Sequence, residues 1–207
     1  MVVANGRLPV IPEAVDMRAL YTVPPPQLNP GAPFTLGTCA ADRFTCFSEW
    51  IAYALTNPAF RPSQVLPVGT AVDLSAEELA AYDAPFPELI YMAGVRTFPS
   101  LVVTLNEPPT NEAAREVFDR FEKPLLTLFG RLDPNLGSEE VQAELRDTVP
   151  GARGQPHQAY EDASHFIQED KGEDLARRVV DFVRGNPIDR VSRSDLAATV
   201  LASVAHE

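Results

Sequence analysis

Tyr160-Glu161-Asp162-Ala163-Ser164-His165-Phe166-Ile167-Gln168-Glu169-Asp170 decides how the rest of this chain is read. A short strand rises into a turn of small residues, the turn carries a histidine, and a helix begins near Gln168. An imidazole at a strand end, just ahead of a helix, is where an alternating strand–helix protein presents a general base. Upstream, Phe129-Gly130-Arg131-Leu132-Asp133-Pro134 repeats the pattern with Asp133 in the place of His165. An acid and then a histidine on successive strand-end turns form the second half of a nucleophile–acid–histidine triad.

Outward from this pair, residues 110–184 alternate helix, strand, helix, strand, helix, the pattern of a parallel sheet. Thr110-Asn111-Glu112 opens a helix to about Phe121, and Pro124–Phe129 is a buried strand. A helix is expected over Leu136–Asp147, ending before Pro150, then a strand over Gln158–Asp162 and an amphipathic helix over Gln168–Arg184. Met1-Val2-Val3-Ala4-Asn5 is a further apolar run, stopped by Asn-Gly, and reads as a third parallel strand. Residues 6–36 are Pro-rich and predict an irregular connection with one helical turn near Ala14–Leu20. Residues 40–99 are a helical block with almost no strand signal. In it Phe44, Phe47, Ile51, Ala54 and Leu55 recur at helical spacing up to Pro58. Ser75 and Glu78 form a capping box, and Leu89–Phe98 is a helix that Pro99 closes or kinks. Ser192 with Asp195 caps a last helix, Leu196–Ala205.

Composition narrows the function classes. A hydrophobic share of 45% with 22% charged residues fits a soluble globular protein. A formal net charge of −12 without a basic run argues against nucleic acid as a partner. No apolar run approaches the ~20 residues of a membrane span. The first residues lack the basic-then-apolar pattern of a signal peptide. Cys39 and Cys46 have no metal-spaced partners and read as reduced, partly buried residues, so the cytosol is the expected compartment. His157 and His206 read as surface residues, and Glu77-Glu78 and Glu139-Glu140 as solvated helix starts.

Three blocks carry a resemblance. They are Tyr82-Asp83-Ala84-Pro85-Phe86-Pro87, then Tyr91-Met92-Ala93-Gly94-Val95-Arg96-Thr97-Phe98-Pro99, then Ser164-His165-Phe166-Ile167-Gln168-Glu169-Asp170. In this order and spacing they resemble the haloalkane dehalogenases, an α/β-hydrolase family with a helical cap. Val2-Val3-Ala4-Asn5-Gly6 looks like that family's sixth sheet strand, and the resemblance extends to about Val183. It departs at residues 7–43, which are longer and richer in proline than the family's usual entry to the cap, and after Gly185.

The resemblance implies the C-terminal portion of an α/β-hydrolase fold, about three parallel strands with an inserted helical cap. Residues 1–5 and 100–185 would be the partial core, 6–99 the connection and cap, and 186–207 an extra helix or tail. His165 matches the family's base, which activates water against an alkyl-enzyme ester, and Asp133 the acid that orients it. Trp50 matches the cap tryptophan whose N–H holds the departing halide. Phe47, Phe98, Pro99, Val102 and Leu136 fall where the family lines its apolar pocket. No metal or cofactor is implied, and the substrate would be a small apolar halogenated molecule.

The family also carries an aspartate nucleophile, followed by a second halide-binding tryptophan, on an elbow that precedes the sixth strand. The sequence has no Gly-x-Ser-x-Gly and no Asp-Trp pair, and Trp50 is its single tryptophan. The expectation is a chain that holds base, acid, cap and half a halide site and is inactive alone, with a complementing N-terminal half as its partner. Two alternatives stay open. An epoxide hydrolase shares the scaffold and uses cap tyrosines, for which Tyr53, Tyr82 and Tyr91 are available. A non-catalytic truncated product is the other.

Overall fold

The computed structural model describes residues 1–8, 43–104 and 108–187, with side chains left out at 43–49, 102–104 and 108–109. The expected last helix, the turn near Ala14–Leu20, the bulk of the Pro-rich connection, His206 and Cys39 lie outside these residues, as does the side chain of Cys46.

Three strands, β1 (Val2–Ala4), β2 (Leu126–Gly130) and β3 (Gln158–Tyr160), form one parallel sheet in the order β1-β2-β3. Val3 pairs with Thr127, and Phe129 with Ala159. β2 is buried throughout because both faces of the sheet are covered. On one face Leu125 and Phe129 pack with Leu8, Leu145 and Val149, backed by Phe118 and Val3. On the other, Leu126 and Leu128 pack against Phe182, Leu175 and Val179, with Val2 beside them. The period-two alternation along β2 thus sends odd positions to the helices α4 (Pro108–Asp119) and α5 (Glu139–Thr148) and even positions to α6 (Ile167–Gly185).

Between β1 and β2 the chain inserts a helical block with its own core. Helices α1 (Arg43–Thr56), α2 (Ala76–Asp83) and α3 (Ala93–Thr104) are joined by short 3-10 turns. Tyr53, Phe60 and Met92 are buried there, with Trp50, Val65, Phe86 and Val95 against them. The Tyr53 and Phe60 rings meet edge-on at 5.9 Å, a favoured aromatic geometry. Ser75 caps α2 as expected: its hydroxyl accepts from the Glu78 N–H, and the Glu78 carboxylate accepts from the Ser75 N–H at 2.7 Å.

Two expectations are corrected. Pro99 does not end its helix: after a 3-10 turn at Leu89–Met92, α3 runs through Pro99 to Thr104. Tertiary contacts override the local rule, because Arg96 donates from Nε and Nη2 to the Ala54 and Leu55 carbonyls at 3.0 and 2.7 Å and pins α3 to the end of α1. The helix expected from Leu136 begins at Glu139, with Ser138 as its N-cap. Leu136 and Gly137 stay in the preceding turn, where an added Cβ on Gly137 would lie 2.5 Å from the Arg131 carbonyl oxygen. Glu139 and Glu140 are exposed in the first turn of α5, as expected, and Arg131 and Arg146 both reach the Glu139 carboxylate and hold it below its ordinary range.

Among the described residues no helix is long and apolar enough to cross a membrane. There too, no cluster of three His, Cys, Asp or Glu is grouped to hold a metal.

Candidate active site

The carboxyl ends of β2 and β3 lie side by side, and each is followed by a turn. Arg131 N–H donates to the Tyr160 carbonyl at 2.8 Å and Leu132 N–H to the Ala163 carbonyl at 2.9 Å. These two bonds extend the ladder beyond the strands and bring the turns into register. The approach needs a glycine at position 130: a Cβ there would meet the Ala163 and Ser164 carbonyl oxygens at 2.4 and 2.5 Å.

The turns carry Asp133 and His165. His165 Nδ1 lies 2.8 Å from Asp133 Oδ2. The carboxylate is fully buried at the side chain, while the imidazole side chain is 43% exposed. The other carboxylate oxygen, Oδ1, accepts from the Asn135 and Leu136 N–H groups at 2.8 and 3.0 Å. One oxygen shapes its own turn and the other orients the imidazole. A carboxylate only accepts, so Nδ1 carries the ring proton and Nε2 keeps a lone pair able to take one.

Asn5 is a further member of the site that the sequence reading passed over as part of an Asn-Gly strand stop. It sits at φ 43°, a left-handed conformation that asparagine tolerates better than most residues. Its Nδ2 donates to the Ser164 and His165 carbonyls, both at 2.7 Å, and its Oδ1 accepts from the Gly130 N–H at 2.9 Å. One side chain at the end of β1 therefore ties β2 to the histidine turn.

The helical block contributes a second set of ties. The Gly69 carbonyl accepts from the Phe166 N–H at 2.8 Å. Asp170 accepts from the Ala71 and Val72 N–H groups through Oδ1 and from the Ser164 N–H through Oδ2. Tyr82 donates its hydroxyl to Glu169, and this bond raises its pKa above the ordinary phenol value.

The remaining candidates occupy separate surroundings. Trp50 packs in the core of the helical block, 5.7 Å from the Phe60 ring. Phe98 is 71% exposed, Pro99 lies within α3, and Leu136 leans on the sheet core. Phe47 and Val102 lie in α1 and α3, with side chains outside the described set. A cavity of about 440 Å³, lined by Leu126, Arg178, Asp181, Phe182 and Asn186, lies towards the amino end of β2, away from the His165–Asp133 pair. His157, expected at the surface, is half-buried instead. Its Nδ1 accepts from the Thr127 N–H at 3.0 Å and its Nε2 donates to the Ala152 carbonyl at 2.8 Å. Burial foremost, with the Arg146 charge adding, pushes its pKa below the ordinary value.

A parallel sheet with helices on both faces, an inserted helical block, and an acid and a histidine joined on successive strand ends define part of an α/β-hydrolase fold. The comparisons with known proteins agree. The chain is 44% identical over 139 residues to a haloalkane dehalogenase of Mycolicibacterium paratuberculosis, covering 66% of this chain and 45% of that protein. It is 41% identical over 141 residues to one from Mycobacterium marinum, covering 67% and 46%. For one from Psychrobacter cryohalolentis the identity is 34% over 145 residues, covering 68% and 47%. Two thirds of the chain is therefore a partial match to the haloalkane dehalogenase family, and the chain spans about half the length of the curated relatives it matches. No family model matches the chain.

Proposed function

We propose that these 207 residues supply the base, the orienting acid and the cap of a haloalkane dehalogenase, and that they do not turn over alone. The observation that carries the reading is the 2.8 Å contact between His165 Nδ1 and the buried Asp133 carboxylate. In the proposed reaction an aspartate carboxylate attacks the alkyl carbon, the carbon–halogen bond breaks, and halide leaves with the electron pair. His165 Nε2 then takes a proton from water, whose oxygen attacks the ester carbonyl carbon. The acyl carbon–oxygen bond breaks, the aspartate carboxylate is regenerated, and the imidazolium returns the proton to the departing alkoxide, which leaves as the alcohol. Asp133 keeps the imidazole in the tautomer this step needs and stabilises the imidazolium. Trp50 would donate to the halide, and Phe47, Phe98, Pro99, Val102 and Leu136 would line the substrate side. The nucleophile comes from polypeptide outside this sequence, which contains no Asp-Trp elbow.

Two of the three cap tyrosines weigh against an epoxide hydrolase, and the third, Tyr91, is 60% exposed. Tyr53 donates its hydroxyl to Gln64 at 2.6 Å and Tyr82 donates to Glu169, so both protons are already engaged within the protein. The test is halide release and epoxide opening by this chain, alone and mixed with the N-terminal half of the Mycolicibacterium paratuberculosis relative. Halide release only in the mixture, and none with His165→Gln, is the expected result. Turnover by the chain alone refutes the claim that it is inactive. Epoxide opening without halide release overturns the substrate class, and a folded complex inert to both overturns the enzyme reading.

A further inference from the structure

The residues after His165 hold more of the helical block than a helix start requires. Asp170 sits one turn into α6, yet its carboxylate is spent elsewhere. Oδ2 accepts from the N–H of Ser164, the residue before the base, at 2.6 Å. Oδ1 accepts from the Ala71 and Val72 N–H groups at 2.7 and 3.1 Å. Three backbone donors from two distant segments thus converge on one carboxylate. A charged acceptor makes such bonds stronger than neutral pairs.

The same segment of the block meets the histidine turn at two more points. The Phe166 N–H donates to the Gly69 carbonyl at 2.8 Å. Gly69 is also packed so closely that an added Cβ would lie 2.6 Å from the Phe166 ring and 3.4 Å from His165 Cβ. Residues 69–72 therefore form a strap lying on the peptide that carries the base. Sequence separation conceals this, since Ala71 and Asp170 are 99 residues apart.

We propose that Asp170 is a positioning residue for His165: its carboxylate locks the base-bearing turn to the strap 69–72, so that seating of the cap and alignment of the imidazole are one event. The chemical role of the imidazole rests on the function proposed above, whereas the lock itself is read without turnover. Asp170 touches no reacting atom. It acts by holding the Ser164–His165 peptide where Nδ1 meets Asp133.

The test uses the full 207-residue chain and proton NMR. The His165 Nδ1 proton, shared with Asp133, gives a far-downfield resonance, assigned by its loss in His165→Gln. In Asp170→Asn this resonance is expected to broaden or vanish while circular dichroism and a cooperative melt report a folded chain. Exchange at the Ala71, Val72 and Ser164 amides should accelerate together, about tenfold or more, as befits bonds to a charged group. Gly69→Ala, which displaces the strap and leaves the carboxylate intact, is expected to weaken the same resonance. A folded Asp170→Asn chain that keeps a sharp Nδ1 resonance overturns the proposal, because a merely structural role lowers stability and leaves that signal in place. Should Asp170→Asn not fold, the wild-type chain decides. Joint protection of the three amides supports the lock, and Ser164 exchanging independently of Ala71 and Val72 overturns it. Failure of halide release in the complementation assay leaves this result standing, so the two readings fail separately.

Discussion

Gly130→Ala is the sharpest perturbation of the strand-end geometry. The new Cβ would sit 2.4 Å from the Ala163 carbonyl oxygen and 2.5 Å from that of Ser164. Neither oxygen is the tip of a flexible side chain, so backbone must move. Reaching 3.0 Å takes a retreat of about 0.6 Å, and an ordinary contact near 3.4 Å takes about 1 Å. His165 rides on the retreating turn and Asp133 on the stationary one. Their 2.8 Å bond stretches beyond useful length, as do the two 2.7 Å bonds from Asn5 to the Ser164 and His165 carbonyls. Overpacking of this kind costs ~1–3 kcal/mol, and each lost hydrogen bond adds ~1 kcal/mol. Allowing for partial relaxation, about 3 kcal/mol is the expected loss, a fall in Tm of roughly 6–12 °C for a chain of this size. Thermal unfolding followed by circular dichroism measures it, and the downfield Nδ1 proton should disappear with it. Gly94→Ala is the control. Gly94 lies in α3 with nothing within 4 Å of an added Cβ, so the same substitution should stabilise slightly. A Gly130→Ala chain melting within about 2 °C of wild type, with its Nδ1 proton intact, would refute the reasoning.

Three further outcomes are expected. Ser75→Ala removes the hydroxyl that caps α2 and should cost about 1 kcal/mol, read as a Tm decrease of roughly 2–4 °C. Burial lowers the pKa of His157 below its ordinary 6.5, so the unfolded chain binds the extra proton first as pH falls. That stability is present above pH 6.5 and lost towards the depressed folded value; denaturant melts between pH 7.5 and 5 should show a fall that flattens in His157→Gln. Tyr160 donates to Asp174 at 2.6 Å, and burial together with that carboxylate pushes its phenol up to about 12. Stability should therefore drop as pH rises from 10 towards 12, and Tyr160→Phe should reduce that drop, the raised phenols of Tyr53 and Tyr82 accounting for what is left, measured by urea titration at each pH.

The strand-end pair was legible in the sequence because its signals are local. Leu125 to Gly130 is apolar but for Thr127, close to what a strand buried on both faces requires, and both Asp133 and His165 follow a strand by a few residues. The capping box of α2 was legible for the same reason. Of the two outcomes open at Pro99, closing the helix is excluded, since α3 runs on to Thr104 and Arg96 ties it to carbonyls at the end of α1. The partners of His157 lie 30 and 5 residues away, and nothing in Gln155-Pro156-His157 announces them. Asn5 read as a turn former, whereas its amide faces segments more than 120 residues on. Hydrophobic periodicity encodes which face of an element is buried. It carries no information about which distant backbone group a polar side chain will meet.

The Asn5 clip has a mechanical consequence. β1 is three residues long and, among the described residues, hydrogen-bonds only to β2, so it is held by few rungs. Yet the residue that ends it grips the carbonyl of His165 itself. A slip of β1 along its neighbour is thereby delivered to the peptide of His165, and among the described residues the β1 edge of the sheet becomes a lever whose short arm is that histidine. A strand seated along that edge would set the pitch of the histidine as surely as any residue beside it.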